Sequence, residues 1–127
     1  GLAEWFASSG HEVEVDYPGL PSHPGHDLAA RQFGGRGFGA LMSIRVGSQE
    51  RAFKVINGVK LPLRVSNIGD TKTLITHPAT TVFADNSPQE QQAAGVWPDT
   101  IRLSIGIEDL ADLIEDFERS LTAADQS

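Results

Sequence analysis

The stretch TIRLSIGIED, Thr100 to Asp109, alternates apolar and polar residues and runs directly into the start of an acidic helix. Side chains alternate along a strand, so one face of this predicted strand is apolar and carries Ile101, Leu103 and Ile105. Arg102 and Ser104 fall on the opposite face. The guanidinium of Arg102 needs an anion, and the sequence allows two kinds of anion. One is a neighbouring Asp or Glu, and the other is a substrate carboxylate, which a planar guanidinium holds with two parallel hydrogen bonds.

The segment that follows this strand predicts an amphipathic helix that ends the domain. Its apolar residues recur at spacings of three and four, and they are Leu110, Leu113, Ile114, Phe117 and Leu121. The acidic residues between them are expected to face solvent, and they are Asp112, Glu115, Asp116 and Glu118. One face of this helix therefore belongs to the core and the other to the surface.

Helices and strands alternate along the rest of the chain without internal repeats. Further helices are predicted near Leu2 to Phe6, over 25–33 with Pro24 at its start, over 49–59 capped by Ser48, and from the capping box of Ser87, Pro88 and Glu90 to Gly95. Further strands are predicted over 11–16, 40–46, 61–66 and 73–77. This pattern predicts one α/β layer structure over residues 1–127, with the helices packed on one side of the sheet.

Composition limits the classes of partner. The chain has 127 residues, the size of one domain, and its formal net charge is −7, so neither nucleic acid nor an anionic membrane surface is an expected partner. It contains no cysteine, which excludes disulfides and thiolate metal sites and fits a reducing cytoplasm. No apolar stretch approaches the roughly 20 residues that span a bilayer.

The amino terminus begins in a helical pattern with no start signal before it: Leu2, Ala3, Trp5 and Phe6. We therefore expect this chain to be the carboxy-terminal piece of a longer protein.

Common catalytic patterns are missing from the sequence. The four histidines have no zinc-site spacing, so no metal site is expected. The glycine cluster of 34–39 lies after a helix and before a strand, the reverse of the order in a phosphate loop, and predicts a tight connection. There is no nucleophile elbow, and no lysine has an evident desolvating environment. His77, next to Pro78, is interpreted as a hydrogen-bonded strand end. We expect no catalytic residue in this chain.

Four motifs in a fixed order resemble a known enzyme family. They are YPGLPSHPGHDLAARQF, SNIGDTKTLITHPATT, SPQEQQAAG and DTIRLSIGIEDLADLIEDFERSL. Together they resemble the carboxy-terminal domain of the pyridoxal-phosphate enzymes of cysteine and methionine metabolism, which include cystathionine gamma-synthase, the gamma-lyases and the O-acylhomoserine sulfhydrylases. The resemblance implies an α/β (α+β) fold with a mostly antiparallel sheet, the small domain of a type I pyridoxal-phosphate transferase.

The resemblance also assigns roles to three residues. Arg102 matches the family arginine that holds the substrate's α-carboxylate, and Asn67, in the turn NIGD, matches a residue that contacts the same carboxylate. Thr81, in HPATT with Thr80, matches a segment that borders the active site. The family's frequent histidine after these threonines is replaced here by Val82 and Phe83.

The remaining implications concern the whole enzyme. The lysine that binds pyridoxal 5'-phosphate lies in a preceding domain in this family, so this chain alone should be inactive and should need the rest of the same enzyme chain. Full-length members form homotetramers. The NIGD turn favours γ-replacement on an O-acylhomoserine by a sulfur nucleophile, with an amino acid as the substrate. The alternatives are γ-elimination, as in methionine or cystathionine gamma-lyase, and a non-catalytic isolated domain.

Overall fold

The structure is a computed structural model that describes residues 1–127, with five helices and five strands. The helices are α1 (Leu2–Ser8), α2 (His26–Phe33), α3 (Gln49–Gly58), α4 (Pro88–Ala93) and α5 (Leu110–Asp125), and a short 3-10 helix spans Pro78–Thr80. The strands are β1 (Glu14–Asp16), β2 (Leu41–Arg45), β3 (Leu63–Arg64), β4 (Leu74–Thr76) and β5 (Thr100–Ser104). No helix is both long and apolar enough to cross a membrane.

The five strands form one sheet in the order β1-β2-β5-β4-β3. Only the β3–β4 pair is parallel, and the other three pairs are antiparallel. Strand β5, which carries Arg102, is central in the sheet. Arg102 lies opposite Ser43 of β2 on one side and Thr76 of β4 on the other. The predicted α/β (α+β) fold with a mostly antiparallel sheet is therefore confirmed.

Three helices cover one face of this sheet, as predicted. The core cluster draws on α1, α3 and α5 and on the alternate apolar positions of the inner strands. Its largest fully buried side chains are Phe6, Phe117, Ile44, Ile75, Ile101, Leu103, Leu113 and Leu121. The rings of Phe6 and Phe117 meet edge to face with their centres 5.1 Å apart, which is a favourable aromatic geometry. The other face of the sheet bears Arg102 and carries no helix of this core.

Several predicted boundaries are wrong by a few residues. The strand expected over 11–16 begins only at Glu14, because residues 11–13 form a turn closed by a hydrogen bond from the Val13 N–H to the His11 carbonyl. The strand expected over 61–66 is reduced to two residues, Leu63–Arg64, at the sheet edge. Pro24 lies before α2, whose N-cap is Gly25.

The predicted helix caps are confirmed. The Ser48 hydroxyl accepts a hydrogen bond from the Arg51 N–H at 3.1 Å, and Ser87 and Glu90 form a reciprocal capping box. Gly34 ends α2 in the left-handed conformation, φ 61°, which glycine adopts without a Cβ penalty. The glycine cluster is thus the helix-to-strand connection that its position in the sequence predicts.

Two residues of α5 contradict the predicted division into core and solvent faces. Asp116 is only 3% exposed, because its carboxylate accepts hydrogen bonds from the backbone N–H groups of Lys60 and Leu61 at 2.8 to 3.0 Å and pairs with Arg119. Leu110 is 45% exposed at the first turn of the helix, against Gly1. The charged residue thus secures the segment after α3, and the apolar residue lies outside the core.

We predict that Asp116→Ala destabilises the fold. The substitution leaves two backbone N–H groups and the Arg119 guanidinium without their acceptor, and the expected loss in the free energy of unfolding is about 3 kcal/mol. Urea unfolding followed by circular dichroism measures it. Glu115→Ala, which removes an exposed carboxylate from the same helix, is the control and should stay within about 0.5 kcal/mol of wild type. Equal losses in the two variants would contradict this account of Asp116.

Candidate functional site

Arg102 lies on the central strand, on the sheet face opposite the core helices, and its charge is unpaired. Its guanidinium donates from Nη2 to the carbonyl oxygen of Ser66 at 2.6 Å, and no carboxylate lies within 4 Å of it. Arg45, on the same face, is by contrast paired with Asp99 at 3.0 Å. The internal salt bridge, one of the two partners left open by the sequence, is therefore not formed at Arg102. A neutral carbonyl orients this guanidinium and leaves its charge available to an anion.

Asn67 follows the carbonyl that Arg102 contacts. Its side chain is exposed and has no hydrogen bond within the chain, so both its amide groups are available to a ligand. The turn continues through Gly69, which takes φ 79° and donates its N–H to the Ser104 hydroxyl at 3.0 Å. The structure thus brings the turn that carries Asn67 onto Arg102.

Alternate residues of β5 and of the segment directly after it contact residues 66–73 at four points. Arg102 contacts Ser66, and Ser104 contacts Gly69. The next alternate residue is Gly106, whose N–H donates to the Thr73 hydroxyl at 3.0 Å. A Cβ at Gly106 would lie 2.5 Å from the carbonyl carbon of Lys72, so only glycine permits this approach. The fourth is Glu108, which contacts Thr73. We name residues 66–73 the clamp segment.

Glu108 binds Thr73 with both carboxylate oxygens. The Thr73 N–H donates to Oε2 and its hydroxyl donates to Oε1, each at 2.8 Å. Burial raises the pKa of Glu108, but these two hydrogen bonds, with the nearby Lys72 charge, outweigh it and hold the pKa below its ordinary value. Glu108 is therefore an ionised anchor of the clamp segment at neutral pH.

Thr81 is connected to the candidate site through the hydroxyl of Thr76. Its hydroxyl donates to the carbonyl of His77 at 2.8 Å and lies 3.1 Å from the hydroxyl of Thr76. Thr76 is the β4 residue directly opposite Arg102. Thr81 therefore contacts the row of polar side chains that contains Arg102, while the Thr80 hydroxyl turns to His77 Nδ1 at 2.8 Å.

His77 is a structural histidine, as the sequence interpretation has it. It is 5% exposed, and its second ring nitrogen lies 2.6 Å from the carbonyl oxygen of Pro98. Because a carbonyl only accepts, Nε2 carries the proton. No group of three or more potential metal ligands occurs in the structure.

The sequence pattern missed three residues of the arrangement: Thr73, Gly106 and Glu108. A pattern that could have found them is the alternation R-S-G-E at positions 102, 104, 106 and 108, which continues past the last residue of β5. The predicted polar face of the strand ended at Ser104, because Gly106 and Glu108 were assigned to the start of the following helix. Their role becomes visible only when the partner segment, about 35 residues earlier, is in place.

No lysine of this chain has the surroundings expected of a lysine that binds the cofactor. Lys54 forms an ion pair with Glu50 at 2.7 Å on the surface of α3, and Lys60 and Lys72 are exposed. A lysine that forms a Schiff base is normally desolvated or set beside another cation so that its amine is neutral. None of the three has such surroundings.

A central arginine with an unpaired charge and a fixed turn beside it form the candidate small-anion site of this α/β domain. Comparison with known proteins gives the family. Residues 1–122 match the family described as Cys/Met metabolism PLP-dependent enzyme. The chain belongs to this family.

Curated relatives carry names from sulfur amino-acid metabolism. O-succinylhomoserine sulfhydrylase of Pseudomonas aeruginosa is 44% identical over 123 residues, which cover 96% of this chain and 30% of that protein. O-acetyl-L-homoserine sulfhydrylase 1 of Thermus thermophilus is 41% identical, over 94% of this chain and 28% of that protein. L-methionine gamma-lyase of Fusobacterium nucleatum is 40% identical, over 84% of this chain and 27% of that protein.

Solved structures agree with these relatives. A Campylobacter jejuni protein described as an O-acetylhomoserine (thiol)-lyase superimposes with a TM-score of 0.89 at 36% identity, over 95% of this chain and 29% of that one. Cystathionine gamma synthase of Xanthomonas oryzae superimposes with a TM-score of 0.86 at 37% identity, over 98% of this chain and 33% of that one. The chain therefore spans about a third or less of the length of the proteins it matches.

We predict that the anchor formed by Glu108 loses its effect in acid. A carboxylate whose pKa is lowered by folding stabilises the folded state above its ordinary pKa, near 4.5, and this stabilisation is lost as the pH falls through the lowered value. Glu108→Gln should therefore lower the free energy of unfolding by about 1 kcal/mol at pH 7, a modest figure because the carboxylate is partly exposed. The difference from wild type should shrink below pH 4.5.

Urea unfolding of both proteins across the pH range measures this difference. Glu115→Gln, at an exposed position of α5, is the matched control and should follow wild type at every pH. A Glu108→Gln deficit that does not change between pH 7 and pH 3 would contradict ionic anchoring.

Proposed function

We propose that this chain is the carboxy-terminal, substrate-carboxylate-binding part of a pyridoxal-phosphate-dependent transsulfuration enzyme. The single observation that carries the proposal is the guanidinium of Arg102, unpaired on the sheet face opposite the core helices and oriented by the Ser66 carbonyl. The proposed reaction is γ-replacement, in which a sulfur nucleophile forms a bond to Cγ of an O-acylhomoserine while the Cγ–O bond breaks and the acyloxy group leaves as a carboxylate.

In this proposal Arg102 binds and orients the α-carboxylate of the amino-acid substrate. Only one of its N–H groups is engaged within the chain, so the others remain to form two parallel hydrogen bonds with a carboxylate. Asn67 adds a donor from the adjacent turn, and Thr81 borders the same row through Thr76. A carboxylate held at two points fixes the direction of the bonds at the substrate's Cα, and this positioning lowers the entropic part of the barrier.

The cofactor belongs to the remainder of the enzyme in this proposal. The preceding part of the same polypeptide would bind pyridoxal 5'-phosphate through its own lysine, because no lysine of this chain has suitable surroundings. The 127 residues alone are then inactive, and the full-length enzyme is a homotetramer in the cytoplasm. Its small-molecule partner is the amino-acid substrate, and neither nucleic acid nor membrane takes part.

Two alternatives remain for the test. The γ-lyase reaction is supported by the resemblance to L-methionine gamma-lyase. γ-Replacement is preferred because Asn67 heads the NIGD turn and because two of the similar relatives are named sulfhydrylases. A non-catalytic isolated domain is the alternative from a different class.

One assay on the full-length enzyme separates these reactions. The enzyme is incubated with O-acetyl- or O-succinylhomoserine and sulfide or cysteine, and separately with methionine or cystathionine alone. We expect homocysteine or cystathionine from the first mixture. Formation of a keto acid in the second mixture, without replacement in the first, would establish a γ-lyase, and no product in either would favour a non-catalytic domain.

We predict that Arg102→Lys raises the KM for the amino-acid substrate by about 10- to 100-fold, because one ammonium replaces two parallel charge-assisted hydrogen bonds. Steady-state kinetics of the full-length enzyme measure this effect. Arg36→Lys is the matched control, since Arg36 is exposed in the glycine-rich connection and makes no side-chain hydrogen bond. If the KM values of the two variants are equal, Arg102 is not the carboxylate ligand.

A further inference from the structure

We propose that Thr73 and Glu108 form a positioning pair for the carboxylate site. By fixing the end of the clamp segment, this pair sets how tightly Arg102 and Asn67 hold a substrate. The inference rests on the proposed function of Arg102 and assigns the site two further residues. Neither of them contacts the substrate in this proposal, and both act through the turn.

Burial distinguishes Thr73 from the residues before it. All residues from 63 to 72 are exposed, whereas Thr73, the next residue, is 0% exposed. An exposed segment of this length has little packing of its own and depends on its anchor points for a defined position. Thr73 is therefore the fixed end from which the turn with Asn67 projects.

Thr73 forms hydrogen bonds through its N–H, its hydroxyl and its carbonyl. Its N–H and hydroxyl donate to the two oxygens of Glu108, its hydroxyl accepts from the Gly106 N–H, and its carbonyl accepts from the Leu63 N–H at 2.9 Å. Every polar group of this residue is engaged, and three of its four hydrogen bonds go to the segment that follows β5. Next to them, the Ile107 N–H donates to the Thr71 carbonyl at 2.9 Å.

The hydrogen bonds of Thr73 and the contact with Arg102 lie at opposite ends of the clamp segment. The clamp segment contacts Arg102 of β5 at Ser66 and contacts the segment directly after β5 at Thr73. If the Thr73 end is released, the Ser66 carbonyl loses its fixed distance from the guanidinium. The core cluster under the other face contains neither Thr73 nor Glu108. Loosening this end should therefore disturb the site more than the core.

The test uses the full-length enzyme with Thr73→Val and Glu108→Gln. Thr73→Val removes the hydroxyl that joins Glu108 to Gly106, and Glu108→Gln replaces one accepting oxygen with a donor. We expect the KM for the amino-acid substrate to rise about five- to tenfold in each, with kcat within about twofold, because ground-state and transition-state binding are weakened alike. Thr73→Ser, which restores the hydroxyl, should return the KM to within about twofold of wild type.

A structural control separates positioning from loss of stability. Asp116→Asn weakens another carboxylate that holds backbone N–H groups, but on α5 under the opposite face. It should lower the melting temperature and leave the KM unchanged. Hydrogen exchange of peptides covering 66–73 should speed up in Thr73→Val and not in Asp116→Asn.

The outcomes distinguish this inference from the proposed function. A raised KM in Arg102→Lys with unchanged KM in Thr73→Val and Glu108→Gln overturns the positioning pair and keeps the arginine. Unchanged KM in all three overturns both. If Asp116→Asn raises the KM as much as Thr73→Val does, the effect reflects stability, and the positioning role is wrong.

Discussion

The attachment of the exposed clamp segment to alternate residues of β5 is the constraint on which the site depends. A strand presents its side chains to two faces with a period of two, and β5 uses both. Ile101 and Leu103 are completely buried against the helices, while Arg102 and Ser104 secure the clamp segment from the other side. The apolar side chains thereby fix the strand in the core. The polar side chains fix the position of the clamp segment, which has little packing of its own.

This arrangement explains why the charge of Arg102, on the sheet face opposite the core helices, stays unpaired. Arg45 lies on the same face and is held by Asp99, whose carboxylate is nearly buried and also accepts from the Gly47 N–H. Arg102 is held instead by a carbonyl, which orients it without neutralising it. One arginine thus belongs to the structure of the sheet and the other remains available to a ligand. The difference lies in the partner, since both are strand residues on the same face of the sheet.

Sequence reasoning succeeded where local chemistry decides the structure and was wrong where distant segments decide it. The alternation in β5, the capping box at Ser87 and the serine cap at Ser48 depend on neighbours a few residues away, and all were predicted. Asp116 was assigned to the solvent face because its helical position matched the polar stripe. Its actual partners, the N–H groups of Lys60 and Leu61, lie more than 50 residues earlier. Helical spacing contains no information about them.

The candidate site divides in the same way. Arg102 could be selected from the strand pattern, and the resemblance to the family pointed to Asn67 and Thr81. The anchors Thr73, Gly106 and Glu108 could not be assigned from spacing, because each depends on the meeting of two segments about 33 to 35 residues apart.

The partial exposure of Arg102 to solvent also has an electrostatic consequence. In water a single guanidinium attracts a carboxylate only weakly, since an attraction of about 1 kcal/mol at 4 Å is all that the solvent dielectric leaves. The chain as a whole carries a net charge of −7, so its overall field does not attract anions. Strong binding at Arg102 therefore requires that another surface exclude water from this arginine while the clamp segment keeps the guanidinium oriented. Exclusion of water would strengthen the hydrogen bonds from the guanidinium to a carboxylate. It would do so only if the guanidinium were oriented before the carboxylate binds. The rigid attachment of residues 66–73 to β5 meets that requirement before any partner arrives.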